Sequence, residues 1–150
     1  MISERQAKER EFRKEQILEG ALTVFKSKGV EGATMDEIAK EAGFGKATLY
    51  YYFSSKEEIF IELLDRGWKM IWESIEPAIE DHGHPKESFI NALNIIGGLV
   101  TENQVLFEFL FTAPQQMPGT LLEGKPAWKG YQTRMYGVFQ GLLEECMAKG

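Results

Sequence analysis

Apolar residues recur at spacings of three and four along most of the chain, which is the pattern of helices with one buried face. Together with turn and capping signals, this spacing predicts helices over about residues 8–28, 34–42, 46–52, 56–80, 86–101, 104–112 and 127–148. No alternation of apolar and polar residues persists over the length of a strand. We therefore expect an all-α fold.

The apolar stripes of these helices predict which side chains are buried. The stripe of the first helix consists of Phe12, Ile17, Leu18, Ala21, Leu22 and Phe25. The stripe of the fifth helix consists of Phe89, Leu93, Ile96 and Val100. Two adjacent glycines, Gly97 and Gly98, either weaken this fifth helix or mark a close approach by a neighbouring element.

Several helix boundaries carry signals of their own. Gly29 followed by Val30 is a stop signal for the first helix. The segments 34–37 (TMDE) and 55–58 (SKEE) are capping-box patterns that open the second and fourth helices. Proline and glycine residues predict a turn over residues 81–85 and a loop over residues 114–126.

The second and third helices have the spacing of a helix-turn-helix unit. Ala39 lets the two helices approach closely, Gly43 permits the backbone turn between them, and Leu49 anchors the third helix. In this motif the second helix of the pair enters the major groove of DNA, where its N-terminal residues meet base edges. The exposed residues near the third helix are therefore candidates for DNA contact.

The stretch from Thr34 to Lys56, TMDEIAKEAGFGKATLYYYFSSK, closely resembles the DNA-binding segment of the tetracycline-repressor (TetR) family. The combination of T-x-x-x-I-A-x-x-A-G with T-L-Y-x-Y-F-x-x-K is specific, and the resemblance covers about residues 12–60. Two positions depart from the family pattern, because Gly45 stands where Ser is frequent and Ala47 where Gly is frequent. The matching residues are Phe25, Gly29, Thr34, Ile38, Ala39, Ala42, Gly43, Thr48, Leu49, Tyr50, Tyr52, Phe53 and Lys56.

The resemblance implies roles for a set of residues on and around the third helix. Thr48, Tyr50 and Lys56 would contact phosphates, whereas Lys46 and Ala47 would face bases. The backbone would approach DNA closely at the glycine of position 45, although the hydroxyl contact of a serine is lost there. The full set of candidate DNA contacts is Thr34, Gly45, Lys46, Ala47, Thr48, Tyr50, Tyr51 and Lys56.

Ordinary structural roles compete with several of these assignments. We expect DNA contact for Tyr50 and core packing for Tyr52, since tyrosine rings serve both purposes. Lys46 and Lys56 are alternatively ordinary solvated lysines. Asp36 either accepts a hydrogen bond from a cytosine amine or favours the N-terminus of its helix. Near the start of the chain, basic residues alternate with glutamates, which favours a solvated face of i,i+4 pairs over a DNA-binding arm. These basic residues are Lys8, Arg10, Arg13 and Lys14.

Aromatic side chains are frequent after residue 56, where they either line a pocket between helices or fill a core. The resemblance implies a pocket for a small molecule, here an apolar or aromatic effector. It also implies that the helix of residues 56–80 relays binding to the DNA-reading helices of a homodimer, and that the bundle lacks the last two helices of the family. The candidate ligand-binding residues are Trp68, Trp72, Phe89, Phe107, Phe111, Tyr131 and Met135.

Composition limits the remaining chemistry. The chain has 150 residues with one Cys and two His, so it offers no disulfide framework and little support for a metal site at His82 and His84. No apolar run approaches the ~18 residues of a membrane span, and the N-terminus has no signal-peptide core, so we expect a cytoplasmic protein. No motif supports an enzyme, and we expect no cofactor.

The net charge of −6 by itself argues against binding to DNA. Residues 1–56 hold ten basic and nine acidic residues, however, whereas the remaining 94 residues hold 7 basic and 14 acidic ones. The acidity therefore lies outside the predicted helix-turn-helix unit. This asymmetry is compatible with a nucleic-acid-binding domain joined to a domain of another kind.

We therefore expect a helix-turn-helix DNA-binding domain over residues 1–55 and a helical ligand-sensing and dimerisation domain over residues 56–150. The predicted function is that of a ligand-responsive transcriptional regulator, a repressor that a small apolar or aromatic molecule releases from a palindromic operator. The alternative is a helical bundle that binds a small molecule without useful affinity for DNA.

Overall fold

The computed structural model describes residues 1–80, 83–113 and 127–149. Within these ranges all regular secondary structure is helical, which confirms the predicted all-α class. The helices are α1 (Glu4–Gly32), α2 (Met35–Ala42), α3 (Lys46–Tyr52), α4 (Lys56–Ile79), α5 (Pro85–Glu102), α6 (Gln104–Thr112) and α7 (Ala127–Lys149).

The chain forms two compact units, Met1–Leu63 and Leu64–Gly150. Their division lies inside α4, beyond the boundary expected between residues 55 and 56. The physical reason is that the first turns of α4 contribute Ile59 and Phe60 to the core of the N-terminal unit, where the Phe60 ring meets the Phe25 ring edge-on at 5.9 Å between centroids. The functional division at residues 55 and 56 stays a prediction.

The core of the N-terminal unit is built from aliphatic and aromatic side chains of all its helices. The predicted stripe of α1 is largely buried, but its first member, Phe12, is 60% exposed. The prediction that Phe12 is buried was wrong, because this part of α1 packs into no core and residues 1–13 are all exposed. The buried core residues are Ile17, Leu18, Ala21, Val24, Phe25, Ala33, Met35, Ile38, Ala39, Leu49, Phe53, Ile59, Phe60 and Leu63.

The helix α1 extends beyond both predicted ends. It begins after Ser3, where a capping box joins Ser3 and Gln6: the Gln6 N–H donates to Ser3 Oγ at 3.2 Å, and the Ser3 N–H donates to Gln6 Oε1 at 3.0 Å. Gly29 adopts φ 73° and interrupts the helical geometry. The break falls where the stop was predicted, and a second, short helical segment then continues to Gly32.

The helices α1 and α2 approach each other closely at Gly20. A Cβ atom built at this position would lie 2.9 Å from the backbone nitrogen of Ala42 and 3.0 Å from its Cα and Cβ. Such distances are below ordinary van der Waals contact, so only glycine fits here without a shift of the backbone. The spacing of apolar residues along the chain does not reveal this requirement.

The N-terminus of α4 has the predicted capping arrangement with one difference. Ser55 Oγ accepts from the Glu58 N–H at 3.2 Å, as a capping box requires. The Glu58 carboxylate, however, accepts from the side chain and backbone N–H of Ser54, at 2.5 and 2.8 Å. These hydrogen bonds lower the pKa of Glu58, and the bond from the Ser54 side chain has the larger effect.

The C-terminal unit also has an apolar core. The buried face of α5 includes Pro85, Ser88 and Ala92, whereas Leu93 and Val100 are exposed. The stripe predicted for α5 was therefore partly wrong, because α5 packs against α7 through a differently rotated face. The buried hydrophobic residues of this unit are Leu64, Trp68, Ile71, Ile75, Ile79, Ala92, Phe107, Phe109, Leu110, Ala113, Trp128, Met135 and Leu142.

Candidate nucleic-acid interface

The predicted helix-turn-helix unit is present and is held by local hydrogen bonds. Thr34 Oγ1 accepts from the Glu37 N–H at 3.2 Å and so caps α2. Gly43 lies in the left-handed region with φ 79°, and the following Phe44 N–H donates to the Ala39 carbonyl at 2.9 Å. Because this backbone conformation favours glycine, Gly43 sets the sharp turn from α2 into α3.

Most of α3 faces solvent. Leu49 is fully buried and anchors the helix, Thr48 is half-buried, and Tyr50 and Tyr51 are 46% and 69% exposed. Large aromatic side chains at such exposure do not stabilise a core, so they are available to a partner. Tyr52 is half-buried, and the three residues at the start of the helix, Gly45, Lys46 and Ala47, are exposed.

An ion pair joins the beginnings of α2 and α3. Lys46 Nζ lies 3.2 Å from Asp36 Oδ1, with both side chains more than half exposed. The pair lies at the N-termini of both helices, where backbone N–H groups attract anions. Asp36 thus provides a partner for the candidate base-reading lysine in the absence of DNA, a role that the sequence alternatives for Asp36 did not include.

The first turns of α1 approach the exposed end of α3. The Arg10 guanidinium lies over the Tyr51 ring, 5.6 Å from its centroid, which is a cation–π geometry. The Tyr51 ring in turn meets the Tyr52 ring edge-on at 5.1 Å. Arg10 therefore lies beside α3 rather than only on a solvated face of i,i+4 pairs. No sequence signal could have paired these residues, because they are about 40 positions apart.

Lys56 has a structural role that competes with phosphate contact. Its Nζ donates to the carbonyl oxygens of Glu31 and Ala33, each at 2.9 Å. The side chain therefore ties the start of α4 to the end of α1. Its assignment as a phosphate contact stays a prediction.

Replacing Lys56 with methionine is expected to lower the free energy of unfolding by about 1–2 kcal/mol, because hydrogen bonds from a charged group to two backbone carbonyls are lost. Urea unfolding followed by circular dichroism measures this change. Lys69→Met is the matched control, since Lys69 is an exposed lysine whose Nζ lies 3.8 Å from Glu73 Oε1 and such pairs contribute little. Equal stability of both variants and the unaltered chain would show that Lys56 does not hold the two helices together.

Comparison with known proteins identifies this arrangement. The family model described as bacterial regulatory proteins, tetR family, matches residues 17–63. The N-terminal part of the chain is therefore similar to the TetR family. The family is one of regulatory proteins, which favours a regulator over an enzyme, as predicted.

Individual relatives agree with this similarity. The HTH-type negative transcriptional regulator IcaR of the icaADBC biofilm operon, from Staphylococcus aureus (strain Newman), is 29% identical over 129 residues, which are 86% of this chain and 62% of IcaR. The TetR family regulator PfmR from Thermus thermophilus has a TM-score of 0.74 at 25% identity, over 89% of this chain and 71% of PfmR. AibR in complex with isovaleryl coenzyme A and operator DNA shares the fold, with a TM-score of 0.77 at 20% identity over 92% of this chain and 74% of AibR. The chain thus spans about two thirds of the length of these relatives.

The residues predicted to bind a ligand occupy different environments. Trp68, Phe107 and Met135 are buried, Phe111 is half-exposed, and the remaining three, Trp72, Phe89 and Tyr131, are half-buried. The structure brings some of them together. The Trp68 and Phe111 rings meet edge-on with 5.7 Å between their centroids, and the centroids of the Phe107 and Phe111 rings are 6.2 Å apart. Phe89 pairs instead with Phe139, at 5.5 Å.

The described residues offer neither a metal cluster nor a membrane-spanning helix. They contain no group of three or more His, Cys, Asp or Glu side chains that could hold a metal ion. His82 lies outside the described residues. None of the described helices combines the length and apolar character needed to cross a bilayer.

Proposed function

We propose that this chain is a DNA-binding transcriptional repressor that reads a palindromic operator as a homodimer, with α3 in the major groove of each half-site. The observation that carries this proposal is the exposed surface of α3, where one buried leucine anchors the helix and leaves Lys46, Tyr50 and Tyr51 open to a partner. A helix with this surface on a helix-turn-helix scaffold has the arrangement that reads base edges. We propose that it acts in the cytoplasm.

The charges near α3 support DNA as the partner although the net charge of the whole chain is negative. The open end of α3 lies beside the Arg10 guanidinium, and Lys46 stands at the first turn of α3. Asp36, which pairs with Lys46, is exposed and contributes to a weak surface ion pair. A phosphate or a base can therefore replace Asp36 as the partner of Lys46 at little cost.

Repression and effector release rest on the relatives. IcaR is described as a negative transcriptional regulator, and AibR was solved with both isovaleryl coenzyme A and operator DNA. We extend to this chain the coarser idea that a small molecule bound in the C-terminal unit biases the dimer between operator-bound and released arrangements. Such coupling requires that the molecule bind the two arrangements with different affinity.

A salt-titrated binding assay tests the proposal. A fluorescent duplex from upstream of the chain's own gene is titrated with protein, and anisotropy gives the affinity, with a shuffled duplex as the control. We expect the duplex to bind more tightly than its control, and its affinity to fall by about 10³-fold between about 50 and 200 mM salt if roughly six phosphates are neutralised. Failure of a demonstrated dimer to bind at low salt would favour a small-molecule-binding bundle without DNA affinity.

A further inference from the structure

The indole nitrogen of Trp68 is a buried donor without a partner among the described residues. Trp68 is 1% exposed, and its Nε1 makes no hydrogen bond to any of them. Trp128 is 3% exposed, and its Nε1 also makes no hydrogen bond to a described residue. Buried tryptophans usually find an acceptor for this group, and leaving a buried donor unpaired costs free energy. Each such group in a folded protein therefore needs an explanation.

The backbone of α4 next to Trp68 is covered by a side chain of α6. At the preceding residue, Gly67, a Cβ atom would lie 2.5 Å from Leu110 Cδ2, so the Leu110 side chain packs directly against α4 beside the indole. Three residues before Trp68, Asp65 Oδ1 accepts from the backbone N–H of Trp128 at 2.8 Å. This bond fixes the start of α7 against the same part of α4. Both unpaired indoles therefore lie near the junction of these helices within the C-terminal unit.

The side chains that cover Trp68 are more accessible than Trp68 itself. The rings of Phe111 and Tyr136 meet the indole edge-on, at 5.7 and 6.5 Å between centroids. These two residues are 50% and 54% exposed. Exposed side chains change rotamer on the picosecond to nanosecond timescale. Rotation of two aromatic rings would therefore open a path to the indole without movement of the packed backbone.

We propose that Trp68 Nε1 donates a hydrogen bond to the effector, and that the effector is an apolar molecule carrying a carbonyl or carboxylate oxygen. This inference rests on the proposed ligand-responsive function and adds the polar feature of the ligand. The indole N–H is a hydrogen-bond donor only. It therefore favours a ligand with an acceptor oxygen and forms no hydrogen bond with a ligand whose polar group can only donate. The rings of Phe111 and Tyr136 beside the indole, with Phe107 next to Phe111, supply the apolar contact.

The test uses the full chain labelled with ¹⁵N and three probes that share an eight-carbon chain: octanoate, methyl octanoate and octylammonium, each below its aggregation concentration. The chain has three tryptophans, so three indole signals are expected. Trp72→Phe and Trp128→Phe assign two of these signals and leave that of Trp68 by elimination. We expect octanoate or methyl octanoate to bind and shift the Trp68 indole proton, and octylammonium to leave it in place. A shift by octanoate alone identifies a carboxylate acceptor, whereas a shift by the ester shows that a carbonyl suffices.

Trp68→Phe removes the N–H and retains an aromatic ring. We expect this variant to bind the active probe about tenfold more weakly than the unaltered chain does. Lys69→Met is the control, because Lys69 is a mostly exposed side chain on the same helix, and we expect it to bind the probe as the unaltered chain does. The titration of the unaltered chain does not depend on whether Trp68→Phe folds. Lack of binding by both acceptor probes, binding without a shift of the Trp68 signal, or equal binding by Trp68→Phe would overturn the proposal. The anisotropy assay on the same samples measures DNA binding separately. A negative result with the probes therefore leaves the DNA-binding proposal intact, and failure to bind DNA leaves the result with the probes intact.

Discussion

Replacing Gly20 with alanine is expected to lower the free energy of unfolding by about 1–3 kcal/mol, because the added methyl group overpacks a closed junction of helices. The new Cβ would lie 2.9 Å from the backbone nitrogen of Ala42 and 3.0 Å from its Cα. Backbone atoms cannot rotate away as a side chain can, so α1 and α2 must separate. We expect operator binding to fall sharply as well, since α2 positions the turn at Gly43 and the start of α3.

Gly137→Ala is the matched control for this substitution. Gly137 lies inside α7, and a Cβ there would have nothing within 4 Å. The same chemical change should therefore stabilise the protein by up to about 1 kcal/mol, because alanine favours the helix. Urea unfolding of both variants, with anisotropy on the operator duplex, gives the comparison. If Gly20→Ala were as stable as Gly137→Ala, the close approach of α1 and α2 would be wrong.

Replacing Lys46 with alanine is expected to weaken binding to the operator by about 10- to 100-fold and to relax the preference for one base pair in each half-site. The side chain is 61% exposed and stands at the first turn of α3, where base contacts concentrate in helix-turn-helix proteins. Its ion pair with Asp36 is solvent-exposed and therefore weak, so the lysine can exchange this carboxylate for a base edge when DNA binds.

Competition anisotropy with duplexes that vary one base pair at a time measures this effect. Lys69→Ala is the control, because Lys69 is also a mostly exposed lysine next to a carboxylate, that of Glu73, and we expect no change for it. A phosphate contact would behave differently: all sequences would weaken alike, and the salt slope would fall by about one. If Lys46→Ala weakened all sequences alike and lowered the salt slope, Lys46 would be a phosphate contact and would not read a base.

Local features were predictable from the sequence because they depend on residues within a few positions of one another. The Thr34 cap, the left-handed turn at Gly43 and the Ser55 cap all follow from short patterns whose partners lie three or four residues away. The same is true of the helical class itself, which requires only a persistent spacing of apolar residues. The motif around α2 and α3 was accordingly sufficient to indicate the similarity to the TetR family that the family model finds over residues 17–63.

The structure decided which apolar faces are covered and which distant residues meet. Spacing shows that a helix has an apolar stripe, but not whether another element lies against it, so Phe12, Leu93 and Val100 were expected in the core and are exposed. Lys56 could be assigned to DNA from its motif, whereas its bonds to Glu31 and Ala33 depend on the packing of α4 against the end of α1.

By itself, the sequence determined the helices, their caps and the DNA-reading motif, since short-range hydrogen bonding and helical periodicity are properties of neighbouring residues. Only the tertiary structure decided that Gly20 must be glycine, that Arg10 lies over Tyr51, and that the Trp68 indole is buried without a hydrogen-bond partner among the described residues. These features arise where segments distant along the chain come into contact. Steric fit and hydrogen-bond satisfaction at such contacts depend on positions in space, which spacing along the chain does not specify.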